Sequence, residues 1–87
     1  MHLTVLSPKQ TIYQGDVRSI QVVGDLAEFE ILAYHAPIVS LLRTGNVVVD
    51  GDHRIPIQRG MLTFDRNECV ILVEEASREM TRVKAGM

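Results

Sequence analysis

The chain has few of the residues that mark disulfide-rich or cysteine-dependent proteins. Its 87 residues include no tryptophan, two tyrosines, two phenylalanines and one cysteine. A single cysteine excludes an intrachain disulfide and a metal site built from several cysteines. Cys69 precedes the apolar run Val70-Ile71-Leu72. We therefore predict that it is a small buried hydrophobic residue rather than a reactive thiol.

Long apolar segments and a strong excess of one charge are also missing. No run approaches the roughly 18 apolar residues that cross a bilayer, and the first residues lack the charged-then-apolar pattern of a signal peptide. The chain is therefore expected to stay where it is made. The formal net charge is −2, and the nine basic residues are spread without forming a stripe. Because binding to a phosphate backbone needs clustered positive charge, the sequence predicts no nucleic-acid partner.

The residues that are present predict an all-β domain. Hydrophobic content of 46% with 23% charged residues fits a globular protein of one domain. Short runs rich in Val, Ile, Thr and Leu recur with turn residues between them, which is typical of a small β-sandwich of about nine to ten short strands. We place the strands near residues 3–6, 11–14, 17–23, 27–31, 38–41, 45–49, 53–58, 60–64 and 69–74.

Local patterns refine three places in this sandwich. Residues 50–52 (Asp-Gly-Asp) lie between two apolar runs and predict a tight hairpin, because glycine tolerates the positive φ of such turns. Residues 65–68 predict a second hairpin. Pro56 lies inside a predicted strand, and because proline cannot donate to the ladder it indicates an edge or a bulge. Over residues 17–23 the alternation is blurred, which predicts a strand with protein on both faces.

No candidate for catalysis or metal binding has enough support in the sequence. His35 could act as a base, but no Ser or Cys nucleophile lies in a recognisable motif, so a packed or interface histidine is favoured. Residues 50–53 offer two carboxylates and an imidazole, yet a plain acidic turn is far more common. Glu74 and Glu75 are neighbours in a strand and point to opposite faces. The glycines are isolated. The sequence predicts no catalytic site, no cofactor and no metal.

One segment has an order of residues that a generic sandwich does not require. Its characteristic residues are Glu28-Phe29, Ile31-Leu32 and His35-Ala36-Pro37. The segment resembles the motif Gly-Glu-hydrophobic-Gly-Ile-Leu-Pro-x-His-x-Pro of the epsilon subunit of F-type ATP synthases. It departs from the motif at four positions, Ala27, Glu30, Ala33 and Tyr34. The likeness extends over nearly the whole chain to Ala76.

The resemblance implies an architecture and a function. Residues 1–76 would be the epsilon-type N-terminal β-sandwich, and residues 77–87 a short tail of helix formers rather than a separate domain. In most family members a two-helix hairpin follows, and its roles in braking hydrolysis and binding ATP are not expected here. The chain would be a non-catalytic rotor subunit of the central stalk that couples proton translocation to ATP synthesis. It would lie on the cytoplasmic side of the bacterial plasma membrane, peripheral to the membrane through the complex.

The resemblance also assigns partners to individual residues. By their positions in the matched motifs, Ser7, His35 and Ser40 would face the gamma subunit, and Glu28 and Tyr34 would face the ring of c subunits. Considered without the resemblance, residues 28–40 are a loop and two strands, with Phe29, Ile31 and Leu32 as core candidates. The alternative function is a free-standing β-sandwich module that binds an unrelated protein, and an enzyme ranks third.

Overall fold

A computed structural model describes residues 1–74, and these residues form nine strands and no helix. In chain order the strands are β1 His2–Leu6, β2 Thr11–Asp16, β3 Ser19–Val23, β4 Glu28–Leu32, β5 Ile38–Leu42, β6 Gly45–Val49, β7 His53–Ile57, β8 Arg59–Asp65 and β9 Glu68–Glu74. The predicted all-β class and strand number are confirmed. The predicted helical tail lies outside the described residues. Within residues 1–74 there is no helix that could span a membrane.

Two sheets pack face to face. The five-stranded sheet has the order β2-β1-β9-β8-β5, and the four-stranded sheet has the order β4-β3-β6-β7. The first and last strands, β1 and β9, run parallel, whereas the other neighbours are antiparallel. The sandwich therefore has two ends. We call them the His35 end, with the β4–β5 loop and the β8–β9 turn, and the Leu26 end, with the β1–β2 loop and the β3–β4 turn.

The core lies between the sheets and consists of the side chains that alternate inward along each strand. In β9, for example, Cys69 and Ile71 are buried and Leu72 is exposed. No polar side chain of residues 1–74 is buried. Cys69 is a packed hydrophobic residue, as predicted, and burial raises the pKa of its thiol to about 12. The buried residues are Leu3, Val5, Val17, Ile20, Val22, Ile31, Leu42, Val47, Val49, Ile55, Ile57, Leu62, Phe64, Cys69, Ile71 and Val73.

Two detailed expectations about burial are wrong. The strand predicted at residues 17–23 begins at Ser19 and is buried on one face, with Ile20 and Val22 inside and Gln21 exposed. The pattern is blurred because Val17 is a buried loop residue that precedes the strand. Leu32, a core candidate, is 54% exposed. Side chains alternate between the two faces of a strand, so Leu32 points outward because Ile31 points inward.

The two predicted hairpins are confirmed, as is the edge position of proline. In the β6–β7 turn, Asp50 and Gly51 have φ values of 52° and 81°. In the β8–β9 turn, Arg66 and Asn67 have φ values of 51° and 63°. Two consecutive positive φ angles match the right-handed twist of a two-residue hairpin. Pro56 lies in β7, the last strand of the four-stranded sheet.

Candidate protein-interaction site

The outer face of the five-stranded sheet carries an uncharged surface that spans four adjacent strands. The register of β1, β9, β8 and β5 aligns outward side chains in two parallel rows. We call these eight residues the outer apolar face. They are Leu6, Leu72, Met61 and Leu41 in the first row and Thr4, Val70, Thr63 and Val39 in the second.

Several of these side chains are well exposed. Relative exposure is 72% for Val39, 59% for Leu41, 53% for Leu72 and 42% for Met61. With strands about 4.8 Å apart, each row of four is roughly 14 Å long. Monomeric proteins rarely leave large contiguous apolar patches in water, so a surface of this kind indicates contact with another protein.

The other outer face of the sandwich is different. Along β4 the outward residues Glu28 and Glu30 are charged, and their neighbour on β3 is Gln21, which pairs with Glu30. On the edge strand β7 the outward residues are Arg54 and Pro56. Leu32 is exposed on the same face, but its cross-strand neighbour is Ser19 rather than another apolar residue. This sheet therefore has the largely polar outer surface expected where a sandwich faces water. The contrast makes the outer apolar face the better candidate for a stable interface.

A cleft of about 830 Å³ continues the outer apolar face at the Leu26 end. Its lining includes Leu41 and Met61 from the face itself. The guanidinium of Arg59 donates to the Glu74 carboxylate at 3.2 Å. A second pair, between Arg43 and Asp25, has a separation of 3.5 Å. The two arginines and the two carboxylates of these pairs balance, so the cleft has no net charge to attract a small ion. We therefore regard it as a polar margin of the outer apolar face rather than as a ligand site.

The three residues predicted to face gamma lie in three separate places. Ser7 lies in the β1–β2 loop at the Leu26 end, where its Oγ accepts from the backbone N–H groups of Lys9 at 3.3 Å and Gln10 at 3.2 Å. Ser40 lies on the half-buried side of β5, and its Oγ donates to the carbonyl oxygen of Leu41 at 3.1 Å. The first hydroxyl shapes a turn, and the second bonds to its own strand.

His35 lies at the opposite end of the sandwich from Ser7. It is exposed, and its ring stands edge-on to Phe64 with centroids 6.1 Å apart. Its Nδ1 is 2.7 Å from the carbonyl oxygen of Ala36, a geometry in which Nδ1 carries the proton and donates. The ring therefore packs against the buried Phe64 at this end of the core. Its place at an interface with gamma stays a prediction.

The two residues predicted to face the c ring, Glu28 and Tyr34, are both exposed but not close together. Glu28 begins β4 at the Leu26 end, and Tyr34 follows β4 at the His35 end. The four steps from Glu28 to Leu32 alone span about 13 Å. Tyr34 is 86% exposed with φ at 64°, and its N–H donates to Oδ1 of Asn67 at 3.0 Å. The sandwich thus separates these two candidates.

The acidic turn at residues 50–53 ties strands together. Oδ1 of Asp50 accepts from the backbone N–H of Arg18 at 2.6 Å and of Ser19 at 3.0 Å. These two hydrogen bonds hold the pKa of the Asp50 carboxyl below its usual value. The carboxylate joins the β6–β7 hairpin to the start of β3. In the part of the chain that the structure describes, no group of three or more His, Cys, Asp or Glu residues could hold a metal ion.

Reasoning from sequence missed the outer apolar face. A signal was available, because residues 70–73 (Val-Ile-Leu-Val) and 38–42 (Ile-Val-Ser-Leu-Leu) are apolar on both sides of a strand. A strand with one wet face should alternate. Only the cross-strand register shows that three outward residues, Leu41, Met61 and Leu72, form one row.

Comparison with known proteins gives consistent matches. Residues 1–79 match the family model for the beta-sandwich domain of the ATP synthase delta/epsilon chain. The ATP synthase epsilon chain of Campylobacter fetus subsp. fetus is 35% identical over 80 residues, which are 87% of this chain and 62% of that relative. ATP synthase epsilon chain 2 of Nitrobacter hamburgensis is 36% identical over 90 residues, which are 95% of this chain and 66% of that relative. The chain thus spans less than two thirds of each relative.

Two of the solved structures with the same fold are of mitochondrial ATP synthases. A chain in the cryo-EM structure of the Euglena gracilis enzyme matches with a TM-score of 0.73 and 21% identity, over 95% of this chain and 59% of that one. A chain in the central stalk and c-ring structure from Tetrahymena thermophila matches with a TM-score of 0.74 and 15% identity, over 85% of this chain and 63% of that one. At these identities the likeness is one of fold.

Proposed function

We propose, because the chain belongs to the family of ATP synthase delta/epsilon-chain β-sandwich domains, that it is a non-catalytic subunit of the central stalk of an F-type ATP synthase. In this role it binds the gamma subunit and the c ring and helps couple proton translocation to ATP synthesis at catalytic sites elsewhere in the complex. The bacterial relatives support a place on the cytoplasmic side of the bacterial plasma membrane, peripheral to it through the complex. The proposed β-sandwich domain comprises residues 1–76.

The observation that carries this proposal is the outer apolar face. A rotor part has to stay fixed to the shaft that it turns with, and burial of apolar surface is the main source of stable association. The row of Leu6, Leu72, Met61 and Leu41 offers such surface on one side of the sandwich, while the opposite side is largely polar. We assign the outer apolar face to gamma.

The gamma candidates fit this assignment to different degrees. Ser7 and His35 border the five-stranded sheet at its two ends, so a gamma segment that runs along the strands would reach both. Ser40 lies on the inner side of the edge strand β5, next to the outward Val39 and Leu41. It would contact gamma only where the partner wraps around that edge.

The c-ring candidates impose a condition on orientation. Glu28 and Tyr34 lie at opposite ends of β4. Both contact the ring only if β4 lies along the ring surface. If the strands stand upright on the ring, only one of the two residues faces it. The two residues therefore distinguish two orientations of the domain on the c ring.

The test is recovery and function in the native membrane. The affinity-tagged chain, isolated from membranes of its source cell, is expected to bring alpha, beta, gamma and c subunits with it. Vesicles that lack this subunit should regain ATP-driven proton pumping when the chain is added back. Recovery of an unrelated protein in place of these subunits would favour the free-standing binding module, and pumping that does not respond to the chain would refute the rotor role.

A further inference from the structure

The two sheets have four edge strands, and three of these edges are protected. Edge strands carry backbone groups without partners, and proteins protect them with proline, with charge or with a covering segment. β7 contains Pro56, which has no N–H to offer. β4 carries the exposed Glu28 and Glu30. β5 is covered at one end by the β3–β4 turn, where the N–H of Asp25 donates to the carbonyl oxygen of Leu41 at 3.1 Å.

The fourth edge, β2, lacks such protection. Its six residues include neither proline nor lysine, and its one charged residue, Asp16, is the last of the strand. The pairing with β1 is irregular only at the start, between the pairs formed by Thr11 and Tyr13. From Tyr13 to Asp16 the register is continuous. This part of β2 is therefore a regular edge to which another strand can pair.

The ladder with β1 determines which backbone groups of β2 point to the open side. Met1 and Val17 exchange two hydrogen bonds, from the N–H of Val17 to the carbonyl oxygen of Met1 at 2.8 Å and from the Met1 amino group to the carbonyl oxygen of Val17 at 3.0 Å. In an antiparallel pair such positions alternate with positions whose N–H and C=O point away from the partner strand. Asp16 and Gln14 occupy those alternate positions. Within residues 1–74 no strand lies on that side of β2.

Gly15 lies between these two residues, and the domain itself does not require a glycine there. Its φ is not positive. An added Cβ would come no closer than 3.8 Å to the Tyr13 ring system, which is an ordinary contact. Glycine weakens a strand interior, and in a strand it often marks a place where another backbone approaches closely. Gly15 therefore supports the approach of a second backbone at this edge.

β2 also adjoins the outer apolar face. Its neighbour β1 contributes Leu6 and Thr4 to the two rows of that face, and the outward Gln14 lies beside Thr4. A strand added to β2 would extend the same outer surface. The partner that covers the outer apolar face is therefore in position to reach this edge, and we assign that face to gamma.

The charge beside β2 favours a basic partner over a second copy of the chain. A third row of outward residues lies next to the Thr4 row, toward the His35 end, and it holds three carboxylates and one imidazole. The row consists of Asp16, His2, Glu68 and Asp65 on four adjacent strands. The Asp16 side chain is 91% exposed. Opposite charges across a strand pair attract and like charges repel, so a basic side chain fits next to Asp16.

We infer that an extended segment of gamma pairs with β2 and adds a strand to the five-stranded sheet, with its backbone bonded to Gln14 and Asp16 and a basic side chain next to the Asp16 carboxylate. This inference rests on the proposed function. When a strand is added to a sheet edge, main-chain hydrogen bonds supply affinity and the neighbouring side chains supply specificity. The pairing would fix gamma along one margin of the outer apolar face.

The first test follows backbone amides of the full chain by hydrogen exchange, with and without purified gamma. Gamma should slow the exchange of the Gln14 and Asp16 amides at least about tenfold, because a paired amide exchanges only after the pairing opens. The amide of Arg54 is the matched control. It lies two residues before Pro56 on β7 and has the same outward direction, because proline fits where the N–H would point away from the neighbouring strand. Its exchange should change less than about twofold.

The second test uses variants in a titration with gamma. Gln14→Pro removes an outward N–H and should weaken binding at least about tenfold, because a carbonyl oxygen of the added strand is then left without a donor. Gln14→Ala keeps the N–H and should bind within about twofold of wild type. Arg54→Pro makes the same backbone change at the open edge of β7 and should also bind like wild type. Thermal unfolding shows which variants are folded, and the exchange test gives the decision if Gln14→Pro is not.

The basic side chain is tested at Asp16. Asp16→Lys should weaken binding more than Asp16→Asn, because it places like charges together, and added salt should narrow the difference between the two variants. Equal binding of wild type, Asp16→Asn and Asp16→Lys at low salt would refute a basic neighbour at this position.

The outcomes separate this inference from the proposed function. If gamma does not bind the wild-type chain, the proposed function fails. If gamma binds while the Gln14 and Asp16 amides keep their exchange rates, the proposed function stands and the strand pairing is refuted. Protection that appears when the chain alone is concentrated would show that a second copy occupies the edge, and it would also refute the inference. An equal loss of binding with Gln14→Ala and Gln14→Pro would refute pairing through the backbone.

Discussion

Shortening Leu41 and Leu72 to alanine should weaken the binding of gamma without unfolding the domain. The two leucines belong to the same row of the outer apolar face, with Met61 between them. Their relative exposures are 59% and 53%. A substantial part of each side chain therefore remains available to a partner, and the core does not depend on that part.

The expected effect follows from the exposed fraction. Fully burying a leucine side chain is worth roughly 1.5–3 kcal/mol, so covering the remaining half of Leu41 or Leu72 contributes about 1 kcal/mol. Since the two residues do not pair directly with each other, their effects should nearly add. The double variant is therefore expected to lose about 2 kcal/mol, which is roughly a 30-fold rise in Kd.

Titration of purified gamma against the immobilised chain measures this change. Leu32→Ala is a close control because Leu32 is 54% exposed but lies on the outer face of the other sheet. Its affinity for gamma should remain within about twofold of wild type. Thermal unfolding should show that all variants stay folded. Wild-type affinity in the double variant, or the same loss with Leu32→Ala, would refute the assignment of the outer apolar face to gamma.

Three further predictions concern stability, each measured by thermal unfolding. The pKa of Asp50 is lowered in the folded state, so its carboxylate stabilises the fold above about pH 4, and this contribution is lost as the pH falls through the folded pKa. The Tm of wild type should exceed that of Asp50→Asn near neutral pH, and a difference in Tm that does not shrink in acid would contradict the role of the carboxylate. Gly60→Ala would push a Cβ into the carbonyl oxygen of Leu72, so the free energy of unfolding should fall by about 2 kcal/mol or more. An unchanged Tm would mean that β8 and β9 move apart at this point without cost. Tyr34→Gly removes the left-handed strain of a bulky residue and should raise the stability by up to about 1 kcal/mol, whereas a Tm several degrees lower would show that the tyrosine ring stabilises the fold.

Local chemistry made the strands and turns predictable. The Asp50-Gly51 turn and the edge position of Pro56 follow from backbone preferences that act over a few residues. Strand boundaries do not follow from the pattern alone, since Val17 is apolar and buried without belonging to β3. A pattern of apolar residues reports burial, and burial extends beyond the hydrogen-bonded strand.

Long-range arrangement could not be predicted in the same way. Nothing local in residues 2–6 indicates that β1 pairs with β9 at the other end of the described chain. For the same reason the sequence could not show that Glu28 and Tyr34 lie at opposite ends of the sandwich, although they are only six positions apart.

The parallel pairing of β1 with β9 has a consequence for how the chain folds during synthesis. β1 can form its hairpin with β2 early, but the pair His2 and Glu68 is 66 positions apart (68 − 2). Closing so long a loop is slow, because its entropy is lost before the contacts form. β9 is also the middle strand of its sheet, between β1 and β8. Until the ribosome has released it, β2-β1 and β8-β5 remain two separate ribbons with their inner edges unpaired.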